Sequence, residues 1–316
     1  MNINSQKKLG FSLIELSMVA LISAVLLSLI VGGQQIMEKS AISSARSLTK
    51  KSPIQGMSNL VVWYESTMAQ SFDDENIVSG SDVDIWRNIN PERINSTITI
   101  VNDVVTVNDN NAAAAGGVSS PTYSTKTINR LPTVSFDDTL GQSFNFDGSS
   151  LVGSDYTVIF VEQRRRGGLS NYIISGNSSV DNQNLSLGYR FPAQIHFAQF
   201  TNNYTITVPN FSESFIIPRI HIFRFSSNAN PCKDYHSYQN GGIINGSNPQ
   251  DLDDAGTVDM CQGLTAYNNS AIGVFQGDTF YRGDIGEIII FNKYINDDER
   301  RGVELYLSKK WGIDLI

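Results

Sequence analysis

Gly283-Asp284-Ile285-Gly286-Glu287-Ile288-Ile289-Ile290-Phe291-Asn292 is a nearly continuous apolar run, and a different pattern follows it within four residues. Ile285–Asn292 predicts a buried strand. Asn296 then stands where a helix N-cap belongs, and Glu299 three residues on completes a capping box. Val303, Tyr306, Leu307 and Trp311 recur at helical spacing on one face. The chain therefore ends strand-then-helix.

Working back towards the N-terminus, the text from Ser58 onward is a succession of short alternating or apolar segments. Gly, Asn, Asp, Ser and Pro bound them. The strands expected are 60–64, 97–107, 133–136, 156–163, 172–175, 185–190, 195–200, 204–208, 220–226 and 271–275. Many short strands with few helices predict a mainly β sandwich or barrel. Asn108 to Ser120, biased to Asn, Ala and Gly, reads as a surface loop or insertion, and no internal repeat is present.

Composition bounds what such a chain does. Its 316 residues are 41% hydrophobic and 17% charged, which is enough apolar material for a real core and excludes a fully disordered chain. The net charge of −8 removes general nucleic-acid binding, which needs clustered Lys and Arg. Two cysteines are too few for a disulfide-dense scaffold or a four-thiolate zinc site.

At the other end, Lys7 and Lys8 precede a run from Phe11 to Gly33 whose only charge is Glu15. At about 1.5 Å per residue the run makes a helix of roughly 34 Å, long enough to cross a bilayer. Basic residues favour the cytoplasmic side, so the acidic bulk of the chain is expected outside the cytoplasm. A carboxylate at Glu15 costs about 2.5 to 3.5 kcal/mol in the membrane on insertion scales and calls for a partner. Cleavage after Gly10 would supply one, because the new amine of Phe11, or that of a neighbouring subunit, lies near its level. Beyond Gly33 the spacing of Met37, Ala41, Ala45 and Leu48 continues an amphipathic helix until Pro53 and Gly56 stop it.

The segment Lys7-Lys8-Leu9-Gly10-Phe11-Ser12-Leu13-Ile14-Glu15-Leu16 resembles the cleavage and methylation motif of type IV prepilins and pseudopilins. That resemblance implies a prepilin peptidase acting at Gly10 and Phe11, and a subunit-assembly role for Glu15. It also implies an inner-membrane precursor that goes on to the periplasm or a cell-surface filament with other pilin subunits. The competing reading is a simple signal anchor with an incidental Glu. The organisation expected is a leader at 1–10, a pilin-like helix at 11–57 and one domain at 58–316.

That last domain resembles laminin-G-like, concanavalin A-like jelly rolls in its closing strand and helix. Leu60-Val61-Val62-Trp63-Tyr64, Val83-Asp84-Ile85-Trp86-Arg87-Asn88, Leu131-Pro132-Thr133-Val134-Ser135-Phe136-Asp137 and Tyr238-Gln239-Asn240-Gly241 add to the likeness. The resemblance implies a jelly-roll β-sandwich that recognises a glycan or surface protein, sometimes with calcium. Two further expectations stand beside it: a structural minor pseudopilin of a type II secretion-like system without glycan binding, and a polysaccharide-degrading enzyme.

The enzyme reading is the weakest. Glycosidases need two carboxylates across the scissile bond, and no strand carries an acidic triplet of the form Glu-x-Asp-x-Glu. The acidic groups Asp73-Asp74-Glu75, Asp137-Asp138 and 251–254 read as solvated turns. Asp251, Asp253, Asp254 and Asp278 are candidate calcium ligands, although no loop has a regular calcium motif. His196 and His221 read as strand packing or an exposed rung, and His236 as part of a polar loop. No metallohydrolase, nucleophile-elbow or phosphate-loop motif is present.

Arg164-Arg165-Arg166-Gly167-Gly168 reads as a solvated hairpin tip, or more sharply as a site for an acidic glycan or anionic partner. Tyr235, Tyr238, Tyr267 and Tyr281 are candidates for stacking on sugar faces, with strand-edge packing as the alternative. In an exported domain Cys232 and Cys261 are expected to form a disulfide, stabilising by roughly 3 to 4 kcal/mol on a chain-entropy estimate.

Overall fold

The computed structural model describes residues 12–73, 77–91, 97–101, 104–116, 119–166, 170–190, 194–200, 203–207, 216–227, 235–243, 263–267 and 269–316. Gly10 and Phe11, the cysteines Cys232 and Cys261, and Asp251, Asp253 and Asp254 lie outside them. The chain divides into two compact units, Met1–Ser43 and Ser44–Ile316.

Helix α1 (Leu13–Lys50) runs unbroken for 38 residues, about 57 Å. It is long and apolar enough to cross a membrane. Leu13, Ile14, Leu16, Val19, Leu26 and Leu29 are all well exposed. At its start Ser12 and Glu15 cap one another: the Glu15 N–H donates to Ser12 Oγ at 3.2 Å, and the Ser12 N–H donates to Glu15 Oε2 at 2.8 Å.

The second unit takes in the last turns of α1, where Ala45 and Thr49 are buried. It continues with β1 (Leu60–Glu65), β2 (Ile85–Trp86), β3 (Thr97–Val101), β4 (Val104–Asn108), β5 (Ala112–Ala114), β6 (Thr122–Ile128) and β7 (Leu131–Phe136). Next come β8 (Phe144–Asn145), β9 (Tyr156–Arg164), β10 (Asn171–Ser175), β11 (Ser186–Tyr189), β12 (Gln194–Ala198), β13 (Asn203–Thr207) and β14 (Arg219–Phe225). The chain closes with β15 (Tyr235–Gln239), β16 (Gly242–Ile243), β17 (Ala271–Ile272), β18 (Val274–Phe275), β19 (Thr279–Phe280), β20 (Gly283–Phe291) and α2 (Asp297–Trp311).

Two eight-stranded antiparallel sheets face each other in a jelly-roll β-sandwich. One runs β16-β15-β14-β9-β20-β7-β6 with β1 also on β20; the other runs β13-β12-β11-β10-β17-β8-β5-β2. The core lies between them: Val158, Phe160, Phe223, Ile288 and Ile290 from the first sheet meet Ile173, Leu187, Ile195 and Phe197 from the second. Phe197 and Phe223 pack edge to face across the gap, ring centroids 5.3 Å apart.

The outer face of the first sheet is covered by α2, which makes the central strand β20 buried along its whole length. A bulge at Gly286 sorts its side chains. Ile285, Ile288 and Ile290 point into the sandwich core while Glu287 is drawn to the helix side, because one extra residue reverses the period-2 alternation. Glycine is required there by close approach: a Cβ at 286 would lie 2.5 Å from the Trp311 ring.

That helix side holds a closed polar network. Lys310 Nζ donates to Glu65 Oε1 at 2.5 Å, Glu287 Oε2 at 2.8 Å and Tyr306 Oη at 3.2 Å, using all three of its donors. Glu287 also accepts from Trp63 Nε1 at 2.7 Å, Trp311 Nε1 at 3.0 Å and Tyr306 Oη at 2.8 Å. Glu65 accepts from the backbone of Thr67 and Met68. Thr49 Oγ1 lies 3.2 Å from Tyr306 Oη, so the end of α1 is tied into the same network. Helix α2 starts at the capping box: the Glu299 N–H donates to Asn296 Oδ1 and the Asn296 N–H donates to Glu299 Oε2, both at 2.9 Å.

Four sequence readings change. The stretch 97–107 is a hairpin of β3 and β4, because the chain reverses between Val101 and Val104. The stretch 271–275 is split at Gly273 (φ +85), which sends β17 and β18 to different sheets. The region 108–120 contributes β5, which joins β2 to β8. His236 sits in β15 opposite Arg224, not in a loop.

Candidate functional site

Strands β7, β20 and β9 come into register at one end of the first sheet, where Gly283 lies opposite both Phe136 and Arg164. This brings together the turn after β7, with Asp137 and Asp138, the residues after β9, with Arg165 and Arg166, and Arg282 just before β20. The Arg165 N–H donates to the Arg282 carbonyl at 3.0 Å. Asn171 fastens the corner: its Nδ2 donates to the Arg166 carbonyl at 3.1 Å and its Oδ1 accepts from the Arg282 N–H at 2.8 Å.

A cleft of about 390 Å³ opens here, lined by Asp138, Arg166, Ser170, Asn171, Asp278, Thr279 and Phe280. Its electrostatics are balanced by internal pairs. Asp138 is ion-paired with Arg166 and lies 3.5 Å from Arg282 Nη1. Arg165 Nε lies 3.2 Å from Asp284 Oδ2, and Ser135 Oγ donates to the same carboxylate. Burial raises the Asp284 carboxyl above its ordinary range, against the pull of Arg165 and Ser135. Hydrogen bonds from the Thr139 side chain and backbone hold Asp137 below that range. Thr279 Oγ1 donates to Asp278 Oδ1 at 3.0 Å.

Further inside, the same strands carry a polar cluster between the sheets. Glu162 shares the core-facing side of β9 with Val158 and Phe160, and its carboxylate accepts from Tyr189 Oη and from Tyr281 Oη at 2.9 Å. His221 Nε2 lies 3.2 Å from Glu162 Oε1 and 2.9 Å from Tyr189 Oη. Burial opposes charge on Glu162, but its hydrogen bonds and the neighbouring Arg219 outweigh burial and keep it ionised. Burial lowers His221, so the ring is neutral and donates from Nε2 to the carboxylate. The Arg164 guanidinium lies 4.0 Å from the centroid of the Tyr189 ring.

The sequence candidates separate accordingly. Arg165 and Arg166 are half-exposed at the strand end, but Arg164 is fully buried, so the solvated-tip reading does not hold for it. Period-2 alternation from Val158 through Phe160 and Glu162 carries Arg164 inward. Asp138 is a buried ion-pair partner, its side chain 9% exposed, in place of the solvated turn expected. Tyr238 is buried between Arg224 and Arg300, its hydroxyl accepting from Arg224, which takes it out of reach of a sugar. Tyr267 and Tyr281 are likewise buried, donating to the Ser175 carbonyl and to Glu162. Only the backbone of Tyr235 is described, as the start of β15.

His196 is buried, and burial lowers its pKa to about 3. Of the calcium candidates, Asp278 lines the cleft. Asp138, the other described carboxylate lining it, faces the guanidinium groups of Arg166 and Arg282, and the remaining candidates, Asp251, Asp253 and Asp254, lie outside the described residues. Among the described residues no group of three or more His, Cys, Asp or Glu is placed to hold a metal ion. Sequence reading missed Ser170, Asn171, Thr279 and Phe280 as cleft residues, and Arg282 as a partner of Asp138. Only Glu162 left a signal, as a charge at an inward position of an apolar strand.

Among solved structures the chain is similar to domain 4 of AbnA, a GH43 extracellular arabinanase from Geobacillus stearothermophilus, in complex with arabinotriose. That match has 15% identity and a TM-score of 0.41 over 78% of this chain and 98% of that chain. It is also similar to the Ruminococcus gnavus IT-sialidase CBM40, with 14% identity and a TM-score of 0.35 over 48% of this chain and 82% of that one. A third likeness is to Trypanosoma rangeli sialidase, with 13% identity and a TM-score of 0.46 over 90% and 40% of the two chains. No family model matches the chain. No curated protein matches it either.

Proposed function

We propose that the chain is a pilin-like or pseudopilin-like subunit, anchored by its N-terminal helix, whose exported jelly roll binds glycan or a surface protein. The observation that carries this reading is the continuity of α1. One helix takes in the apolar segment from Leu13 onward, and its last turns carry Ala45 and Thr49, which are buried in the sandwich unit. A helix that is removed on export has no reason to be built into the folded head, whereas a stalk does. Gly10, Phe11 and Glu15 fall in the register that peptidase cleavage, methylation and assembly would need. The cleft at the end of β7, β9 and β20, with hydroxyl, amide, charged and aromatic groups converging, suits a polyhydroxylated ligand.

The test is the N-terminal residue of the protein recovered from cells. Phe11 is expected, N-methylated, and Glu15→Ala is expected to leave cleavage intact while lowering recovery in sheared filaments. Material that still begins at Met1 in a filament fraction would refute the reading.

A further inference from the structure

Lys310, Glu65 and Glu287 meet where no solvent reaches, each side chain 0% exposed. One ammonium faces two carboxylates, and the surroundings are aromatic: Lys310 Nζ lies 5.6 Å from the Tyr306 ring centroid and 5.2 Å from that of Trp311. Three buried charges are costly to hold even when paired. A reaction joining Lys310 to one carboxylate cancels two of the three.

The two carboxylates are differently prepared for such a reaction. Glu65 is the nearer, with Oε1 at 2.5 Å from Nζ against 2.8 Å for Glu287 Oε2. Its other oxygen, Oε2, accepts from the Met68 N–H at 2.7 Å. That backbone donor is aimed at the oxygen that gains charge when a nucleophile adds to the carboxyl carbon, which is how a tetrahedral intermediate is stabilised. Glu287 is held by three further side-chain donors, from Trp63, Trp311 and Tyr306, so it remains satisfied whatever Lys310 becomes.

We propose that Lys310 and Glu65 condense within the folded chain to an isopeptide bond, with Glu287 carrying the proton. The hydrogen-bonded network described above is the reactant. Lys310 passes one proton to Glu65 Oε1, which leaves a neutral amine beside a carboxylic acid. The Nζ lone pair adds to the carboxyl carbon, and the C=O electron pair moves onto Oε2 under the Met68 N–H. Nζ gives a second proton to Glu287 Oε2, which hands it to Oε1; the C–Oε1 bond breaks and water leaves. Ammonium and carboxylate have become amide and water, Glu287 ends as it began, and no oxidant or reductant is consumed. The new amide N–H donates to Glu287 and its carbonyl accepts from Met68, so the product leaves both polar groups partnered. The bond closes residues 65–310 into a covalent ring, which constrains the unfolded chain.

The experiment is peptide mapping of the chain recovered from cells, denatured and digested with trypsin. An unlinked chain releases 52–87 and 311–316 as separate peptides, since neither contains an internal Lys or Arg. A linked chain releases 52–87 joined to 310–316 and lighter by one water, because trypsin does not cut after an acylated lysine. The joined species is expected to predominate in the wild type, with fragmentation placing the bridge between Glu65 and Lys310. Glu287→Gln keeps the size of the side chain and removes the proton carrier, and is expected to lower the joined fraction about tenfold or more. Recovery of the wild type only as separate peptides would overturn the inference, a readout that depends on no variant folding. A joined species that Glu287→Gln leaves undiminished would overturn the role given to Glu287.

Discussion

Replacing Lys310 by Met keeps the apolar stem and removes the ammonium from between Glu65 and Glu287. All three side chains are 0% exposed, so the variant buries two carboxylates with no cation. Breaking a buried pair in this way costs about 3 to 5 kcal/mol. For a unit of this size that is a fall of roughly 6–20 °C in Tm, at about 2–4 °C per kcal/mol. The assay has a built-in reporter, because two of the three tryptophans, Trp63 and Trp311, donate to Glu287. Denaturant unfolding of the full chain in detergent, followed by tryptophan fluorescence, reads the loss directly. Adding Glu287→Gln to Lys310→Met removes one stranded charge and should restore about 1 kcal/mol or more, a non-additivity that neighbouring groups show. A loss under about 1 kcal/mol in the single variant, or strictly additive costs in the double, would mean that the ammonium is not clamped between those carboxylates.

Gly286→Ala forces a methyl group onto the Trp311 ring and should cost about 1–3 kcal/mol, read in the same unfolding experiment; a neutral result would contradict the close approach. His196, neutral in the fold with a pKa near 3, stabilises fully above its unfolded pKa of about 6.5. That contribution is lost as pH falls from about 6.5 towards 3, because only the unfolded chain takes up the proton, at about 1.4 kcal/mol per pH unit. His196→Gln should therefore flatten the acid limb of the stability curve, and an unchanged slope would show the ring to be solvated.

The architecture was readable in the sequence where its signals are local. The capping pair Asn296 and Glu299 and the apolar run before it are properties of adjacent residues, and both stand as expected. Arg164 shows a signal that was present but overridden: its run of charge suggested a solvated tip, while strand alternation from Val158 pointed it inward. The cleft was readable only in fragments: Arg166 and Asp278 stood out as candidate site residues, but nothing in the sequence joined them. Asp138, Arg166, Asn171 and Phe280 meet only because β7, β9 and β20 share a register, and no spacing along one strand encodes that. Glu65 and Lys310 are 245 positions apart, so their partnership is likewise a property of topology.

That separation bears on how the molecule is made. Strand β1 is the first long strand of the sandwich, and its partner β20 is the last. While the chain is being made, Leu60–Glu65 must wait for some 220 further residues before its ladder can close. Thr49 waits longer still, for Tyr306. Contacts this distant in sequence make folding slow, so the sandwich closes only once nearly the whole chain has been made. A product truncated ahead of Gly283 would lack the middle of its main sheet.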